Sequence, residues 1–172
     1  MEDVTPRRVL SVDIGAKNMA VCGLLGTGEI EVWEVEAVDP PTVEGVAAFF
    51  ERVLAKFKPD MVVVERQMRQ NTVATRLEAM IDMYFHCTAI PLTLCAPTVK
   101  LRNALLAGLA TLDEITAAKK SYIARKKLAI TATCRWLVEN EAASARLWTD
   151  AFGLHAKKDD LADALLQGLV YV

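Results

Sequence analysis

The sequence predicts an α/β fold: a five-stranded mixed sheet, three antiparallel strands followed by parallel ones, flanked by helices. Three observations predict it. Runs of β-branched and apolar residues stand at 9–14, 19–25, 29–36, 61–65 and 90–97. The first three runs are joined by connections too short for a helix and must meander. Each of the last two follows an amphipathic stretch long enough to return the chain as a crossover helix.

The bulk properties agree with such a fold. At 172 residues, 53% hydrophobic and 24% charged, the chain can bury a sizeable core and is expected to form one domain over residues 1–172. No charge-free apolar run approaches the roughly 20 residues of a membrane span, so a membrane protein is not expected. The start, "MEDVTPRR", has neither an apolar stretch nor an Arg-rich presequence. A cytoplasmic address is expected, and a mitochondrial one is less favoured.

The elements follow in order. "GTG" at 26–28 turns the second run into the alternating "EIEVWEVE", whose alternation slips near Trp33, where a bulge or the sheet edge is expected. "DPPT" ends that strand. Thr42 then caps a helix whose apolar face carries Val46, Phe49, Phe50, Val53, Leu54 and Phe57, until "KPD" breaks it. "MVVVE" is a buried strand. From Asn71, residues Val73, Leu77, Met80, Ile81 and Tyr84 recur at helical spacing, and "IPLTLCAP" gives the fifth strand. A helical piece is expected around 100–109, one long helix over "AAKKSYIARKKLAITATCRWLVENE", a loop carrying Trp148 and Gly153, and a last helix from about Asp159. The four cysteines share no CxxC spacing and sit in apolar segments, which reads as reduced core thiols. His86 and His155 lack partners at ligand spacing and are assigned no role.

Net charge is −2, but it is unevenly spread: residues 1–60 hold 6 Lys/Arg against 11 Asp/Glu, and residues 99–135 hold 8 against 2. The basic block can meet phosphates, although a solvated helix face is the commoner meaning of such a run.

Four carboxylates stand in apolar company. Asp13 lies in the first strand and Glu65 ends the fourth. Asp160 and Asp163, spaced i, i+3, share one face of a helix that is otherwise apolar all round. Acids in a first turn satisfy free N–H groups, which accounts for Asp159 and Asp160 without any ligand. It does not account for Asp163, a turn inside, where a carboxylate must be paired or bound to a metal. If the four acids converge, they form an all-oxygen cluster suited to Mg²⁺ or Mn²⁺. Two such ions about 4 Å apart are a known device for phosphodiester hydrolysis.

The order of these acids, on the first strand, on the fourth strand and at the head of the last helix, resembles the RNase H-like superfamily. "SVDIGAKNMA", "VVVERQMRQN", "SYIARKKLA" and "KKDDLADALL" narrow the resemblance to the RuvC-type Holliday-junction resolvases, in their poxvirus and mitochondrial branch. The similarity spans residues 9 to about 170. It implies a homodimeric, metal-dependent endonuclease that nicks opposing strands of a four-way DNA junction with two Mg²⁺ or Mn²⁺ ions per site and no nucleotide cofactor. Asp13, Glu65, Asp160 and Asp163 are the implied catalytic and metal-binding residues. Lys17, Asn18, Arg66, Gln67, Arg69, Lys119, Lys120, Arg125, Lys126 and Lys127 are the implied DNA contacts. Lys158, a cation at a helix start where the dipole disfavours it, joins them as a phosphate contact. The helix near 71–86, with Met80, Ile81 and Tyr84, is the candidate interface between protomers. A virus processing its DNA in the cytoplasm is the expected source.

Three rival readings are weighed against this one. An RNase H-like nuclease cutting RNA–DNA hybrid or structured RNA would use the same acids. "DIGAKN" also resembles the first phosphate loop of actin-like ATPases, which need a second lobe and a second phosphate loop. A non-catalytic module would not need all four acids.

Overall fold

The computed structural model describes residues 7–140 and 143–172. Strands β1 (Arg8–Asp13), β2 (Met19–Leu25), β3 (Ile30–Glu36), β4 (Met61–Glu65) and β5 (Leu92–Cys95) form one sheet in the order β3-β2-β1-β4-β5. β1, β2 and β3 pair antiparallel, while β4 joins β1 and β5 joins β4 in parallel. This is the mixed sheet expected. The register slips opposite Gly23 and Leu24, between Val32 and Ile30, one residue from where the alternation fails. Because of that slip, Ile30 and Val32, two residues apart, enter the cores on opposite faces of the edge strand, and Ile30 shares its face with Trp33.

Helices α1 (Val43–Lys56) and α2 (Thr72–Thr88) cover one face. The Thr42 hydroxyl caps α1 by accepting from the Gly45 N–H at 3.2 Å. Phe49, Phe50, Phe57 and Phe85 fill the layer beneath. Ile81 is fully buried there, so it cannot belong to a surface between protomers. Met80 and Tyr84 are half-buried, and Val73, expected to face the core, is exposed beside the outer groove of α2.

Helices α3 (Val99–Leu106), α4 (Leu112–Lys120), α5 (Tyr122–Glu139), α6 (Ala143–Leu154) and α7 (Lys158–Gly168) build the other face. Two expectations are corrected here. The long basic helix is two helices broken at Ser121, whose extended backbone ends α4 and whose hydroxyl accepts from Ala124 N–H to start α5. A serine offers the backbone that alternative bond, and the break costs only one helical turn. The expected end of that helix, Glu141, lies outside the described residues. The expected loop around Trp148 and Gly153 is α6, because Ala145, Trp148 and Phe152 fall on one helical face that joins the core, where Trp148 and Phe152 pack against Trp33. The cysteine expectation holds for Cys22 and Cys95, whereas Cys87 and Cys134 are exposed on helix surfaces.

α7 lies directly on β1 and β2. A Cβ at Gly168 would stand 2.6 Å from Leu24 Cδ1 and 2.9 Å from Ser11 Cβ, so only glycine permits this approach. Trp33 fixes the far side by donating its indole N–H to the Leu161 carbonyl at 2.9 Å.

Candidate active site

β1 and β4 run parallel with Val12 opposite Val64. Their last residues, Asp13 and Glu65, therefore leave the sheet side by side at its C-terminal edge, where open α/β sheets gather their chemistry. α7, pressed onto β1 and β2, brings the Asp160–Asp163 face to the same edge. All four acids line one cleft of about 330 Å³. Gln67, Lys100, Tyr122, Arg125, Lys126 and Asp159 line it too.

Gln167, one turn beyond Asp163, is buried and donates its amide N–H groups to the carbonyls of Val12 at 3.2 Å and Val63 at 3.1 Å. It ties α7 to β1 one residue before Asp13 and to β4 two residues before Glu65. Gln167→Leu is expected to cost about 1–3 kcal/mol, read as a lower midpoint in denaturant unfolding. An unchanged midpoint would mean that the clamp does not contribute.

Lys100, at the start of α3, reaches into the acids. Its ammonium stands 2.8 Å from Glu65 Oε2 and 2.6 Å from Asp163 Oδ2. Burial works against the ammonium, yet Asp163, Glu65 and Asp13 together hold its pKa above the ordinary lysine value. Asp13 is pushed well above the carboxylate range, first by burial and then by Asp163, with Glu65 and Asp160 adding and Lys100 opposing. Burial also raises Asp160, helped by the neighbouring Asp159. Asp159 differs: burial would raise it, but its hydrogen bond from Lys126 holds it below the usual value.

Among the described residues no three His, Cys, Asp or Glu side chains are preassembled around one metal position. The chemistry of the cleft nevertheless suits a hard divalent cation. Its four carboxylates offer only oxygen, Lys100 pairs with two of them, and Asp160 Oδ2 is buried with no hydrogen-bond partner. A cation would satisfy that oxygen and relieve the repulsion that raises Asp13.

The implied DNA contacts separate into two groups. Gln67, Arg125 and Lys126 line the cleft. Gln67 donates its amide to the Glu65 carbonyl at 2.9 Å and its backbone N–H to Glu78 of α2, which shapes the turn after β4. Lys17, Arg66, Arg69, Lys119, Lys120 and Lys127 are exposed outside it, and Asn18 and Lys158 are half-buried outside it. Sequence reasoning missed two residues of the site, Lys100 and Gln167. Gln167 carried the same signal as Asp163, a polar group on an all-apolar helix. Lys100 carried only its place after the strand beside β4.

The sequence matches the family described as "Poxvirus A22 protein" over residues 7–172. The chain belongs to that family. No curated protein matches this A22-family chain in sequence. Among solved structures it is similar to the fowlpox virus resolvase in complex with Holliday-junction DNA, at 23% identity and a TM-score of 0.67, covering 95% of each chain. It is also similar to the yeast mitochondrial Holliday junction resolvase Ydc2, at 20% identity and a TM-score of 0.59, covering 97% of this chain and 80% of that one. Thermus thermophilus RuvC with its junction substrate matches at 19% identity and a TM-score of 0.57, covering 96% and 92%. The A22-family chain thus has the RNase H-like fold that its motifs resemble.

Proposed function

We propose that this chain is a Holliday-junction resolvase: a homodimeric endonuclease that hydrolyses paired, symmetric phosphodiester bonds in a four-way DNA junction, using two divalent ions per site. The observation that carries the reading is the gathering of Asp13, Glu65, Asp160 and Asp163 in one cleft of an A22-family chain. The similar solved structures support the substrate, since all three are junction resolvases or their junction complexes.

In this reading the four carboxylates hold the ions. Mg²⁺ or Mn²⁺ bound there would supply the polarisation of water and phosphate that the hydrolysis needs. The chain's own work is positioning. Gln167 sets the spacing of the β1 and β4 ends, and Lys100 holds Glu65 and Asp163 in place while offering a positive charge beside the scissile phosphate. The exposed cations Lys119, Lys120, Arg125 and Lys127, with Lys17, Arg66, Arg69 and Lys158, hold the phosphate backbone around the cleft. A two-fold substrate calls for a two-fold enzyme. We place the partner contact on the outer side of α2, a choice supported by the shallow apolar groove of about 420 Å³ that Val43, Met80, Met83, Tyr84 and Cys87 line. The site of action is the cytoplasm, where poxvirus DNA is processed.

The test is incubation of the purified protein with labelled four-way junction, linear duplex and RNA–DNA hybrid, with Mg²⁺ and with chelator. Paired, ligatable nicks in the junction alone, lost with chelator, are the expected result. Cutting of the hybrid in preference to the junction would replace the substrate and keep the fold.

A further inference from the structure

The cleft has a wall that phosphodiester chemistry does not use. Tyr122, the first residue of α5, lines the cleft with the carboxylates, yet the residue is 64% exposed. The ring belongs to none of the buried apolar clusters. Its position is nonetheless fixed. Lys126, one turn on, places its ammonium 4.9 Å from the ring centroid, and the Arg125 guanidinium stands 5.9 Å from it. Lys126 is itself held by Asp159 on α7, the neighbour of Asp160. The series Asp159, Lys126, Tyr122 therefore connects the ring to the helix that carries two of the four acids.

Those two cations hold the ring, and its exposure leaves it accessible to a further partner. A ring contacted by an ammonium and a guanidinium is held in one orientation, so a planar partner stacking on it meets a prepared surface. The surrounding cations Lys119, Lys120 and Lys127 are exposed and can hold a phosphate backbone. A rigid aromatic platform set among backbone-binding cations is how proteins hold unpaired nucleotides, because every base has a π-face.

We propose that Tyr122 is a nucleobase-stacking site: its ring receives one base unstacked at the branch point, and so sets which phosphate of the strand enters the carboxylate cleft. The inference rests on the junction-resolvase reading and adds a positioning contact to it. Stacking of this kind is worth about 1–3 kcal/mol per base, or about 5- to 150-fold in affinity. It requires an aromatic ring but no hydroxyl. Tyr122→Phe keeps the platform, while Tyr122→Leu keeps apolar cover over Lys126 and removes the π-face.

The experiment is a cycle in chelator, so that binding is read without cleavage. Wild type, Tyr122→Phe and Tyr122→Leu are titrated against an intact four-way junction and a series of junctions, each lacking one base at a nucleotide next to the branch. At one position, loss of the base is expected to weaken wild type and Tyr122→Phe about tenfold and to leave Tyr122→Leu unaffected, since the contact is already gone. Melting curves of the three proteins should coincide within about a degree or two, as for surface changes. Losses that add at every position, in a protein that prefers the junction to duplex, would overturn the stacking site alone. A wild-type protein with no preference for the junction would overturn the resolvase reading and this inference with it.

Discussion

Asp13→Asn is expected to abolish cleavage and, in the same protein, to raise thermal stability. The loss follows if the carboxylate holds a divalent ion: several kcal/mol of transition-state stabilisation disappear, a fall of about 10³-fold or more in rate. The gain follows from electrostatics already present without the ion. Asp13 sits among Glu65, Asp160 and Asp163, and its pKa is raised, by burial first and by Asp163 next. A carboxylate whose folded pKa exceeds its unfolded value contributes stability below the unfolded pKa, and that contribution is lost as pH rises through the folded pKa. Ionising Asp13 therefore costs the folded protein stability, a cost that the neutral asparagine does not carry. Each tenfold change in proton affinity on folding is worth about 1.4 kcal/mol, so the variant is expected to melt above wild type at pH 7. The advantage of the variant should grow as pH rises above the ordinary carboxylate pKa of about 4 and vanish below it. Melting curves across that range in chelator check it. A variant that melts below wild type at pH 7 would show that Asp13 is paired rather than crowded.

This opposition of stability and activity explains why the acids could be found from sequence. A carboxylate at the end of an apolar strand, or a turn inside an apolar helix, breaks the local pattern, and such breaks mark function. Asp13, Glu65 and Asp163 were legible for that reason, as was the sheet, whose strands are set by short apolar runs and by the lengths of the connections. The break at Ser121 was not legible, because the residues on both sides of it are good helix formers and one hydroxyl decides the matter. α6 was missed because Gly153 and Trp148 look like loop residues until Trp33 supplies the surface they pack on. Lys100 was invisible for another reason. A single lysine at a helix start looks like solvent-facing charge unless the parallel pairing of β4 and β5 is known, since that pairing alone carries it to Glu65. The interface assignment of Ile81 failed because helical periodicity names the apolar face without saying what covers it.

Lys100→Met is the substitution expected to disturb the apo protein most. Methionine keeps the length of the stem and removes the charge that lies 2.8 Å from Glu65 and 2.6 Å from Asp163. The side chains of Lys100, Glu65 and Asp163 are only 13%, 16% and 27% exposed, so water screens the loss weakly. Breaking a buried ion pair while its carboxylates remain costs about 3–5 kcal/mol; the cleft is open to solvent on one side, and about 2–4 kcal/mol is expected here. That is a fall in Tm of about 5–15 °C in chelator. A divalent ion can do for the four acids what the ammonium does in its absence, so Mg²⁺ or Mn²⁺ should raise the Tm of Lys100→Met by more than it raises that of wild type. The order of effects matters more than their size. If the variant melts low in chelator and recovers with the ion, the ammonium and the ion act on the same carboxylates, and the lysine holds the site together until the ion arrives. If it melts low and does not recover, Lys100 supports the packing of α3 against α7, and the carboxylates are not where the ion binds.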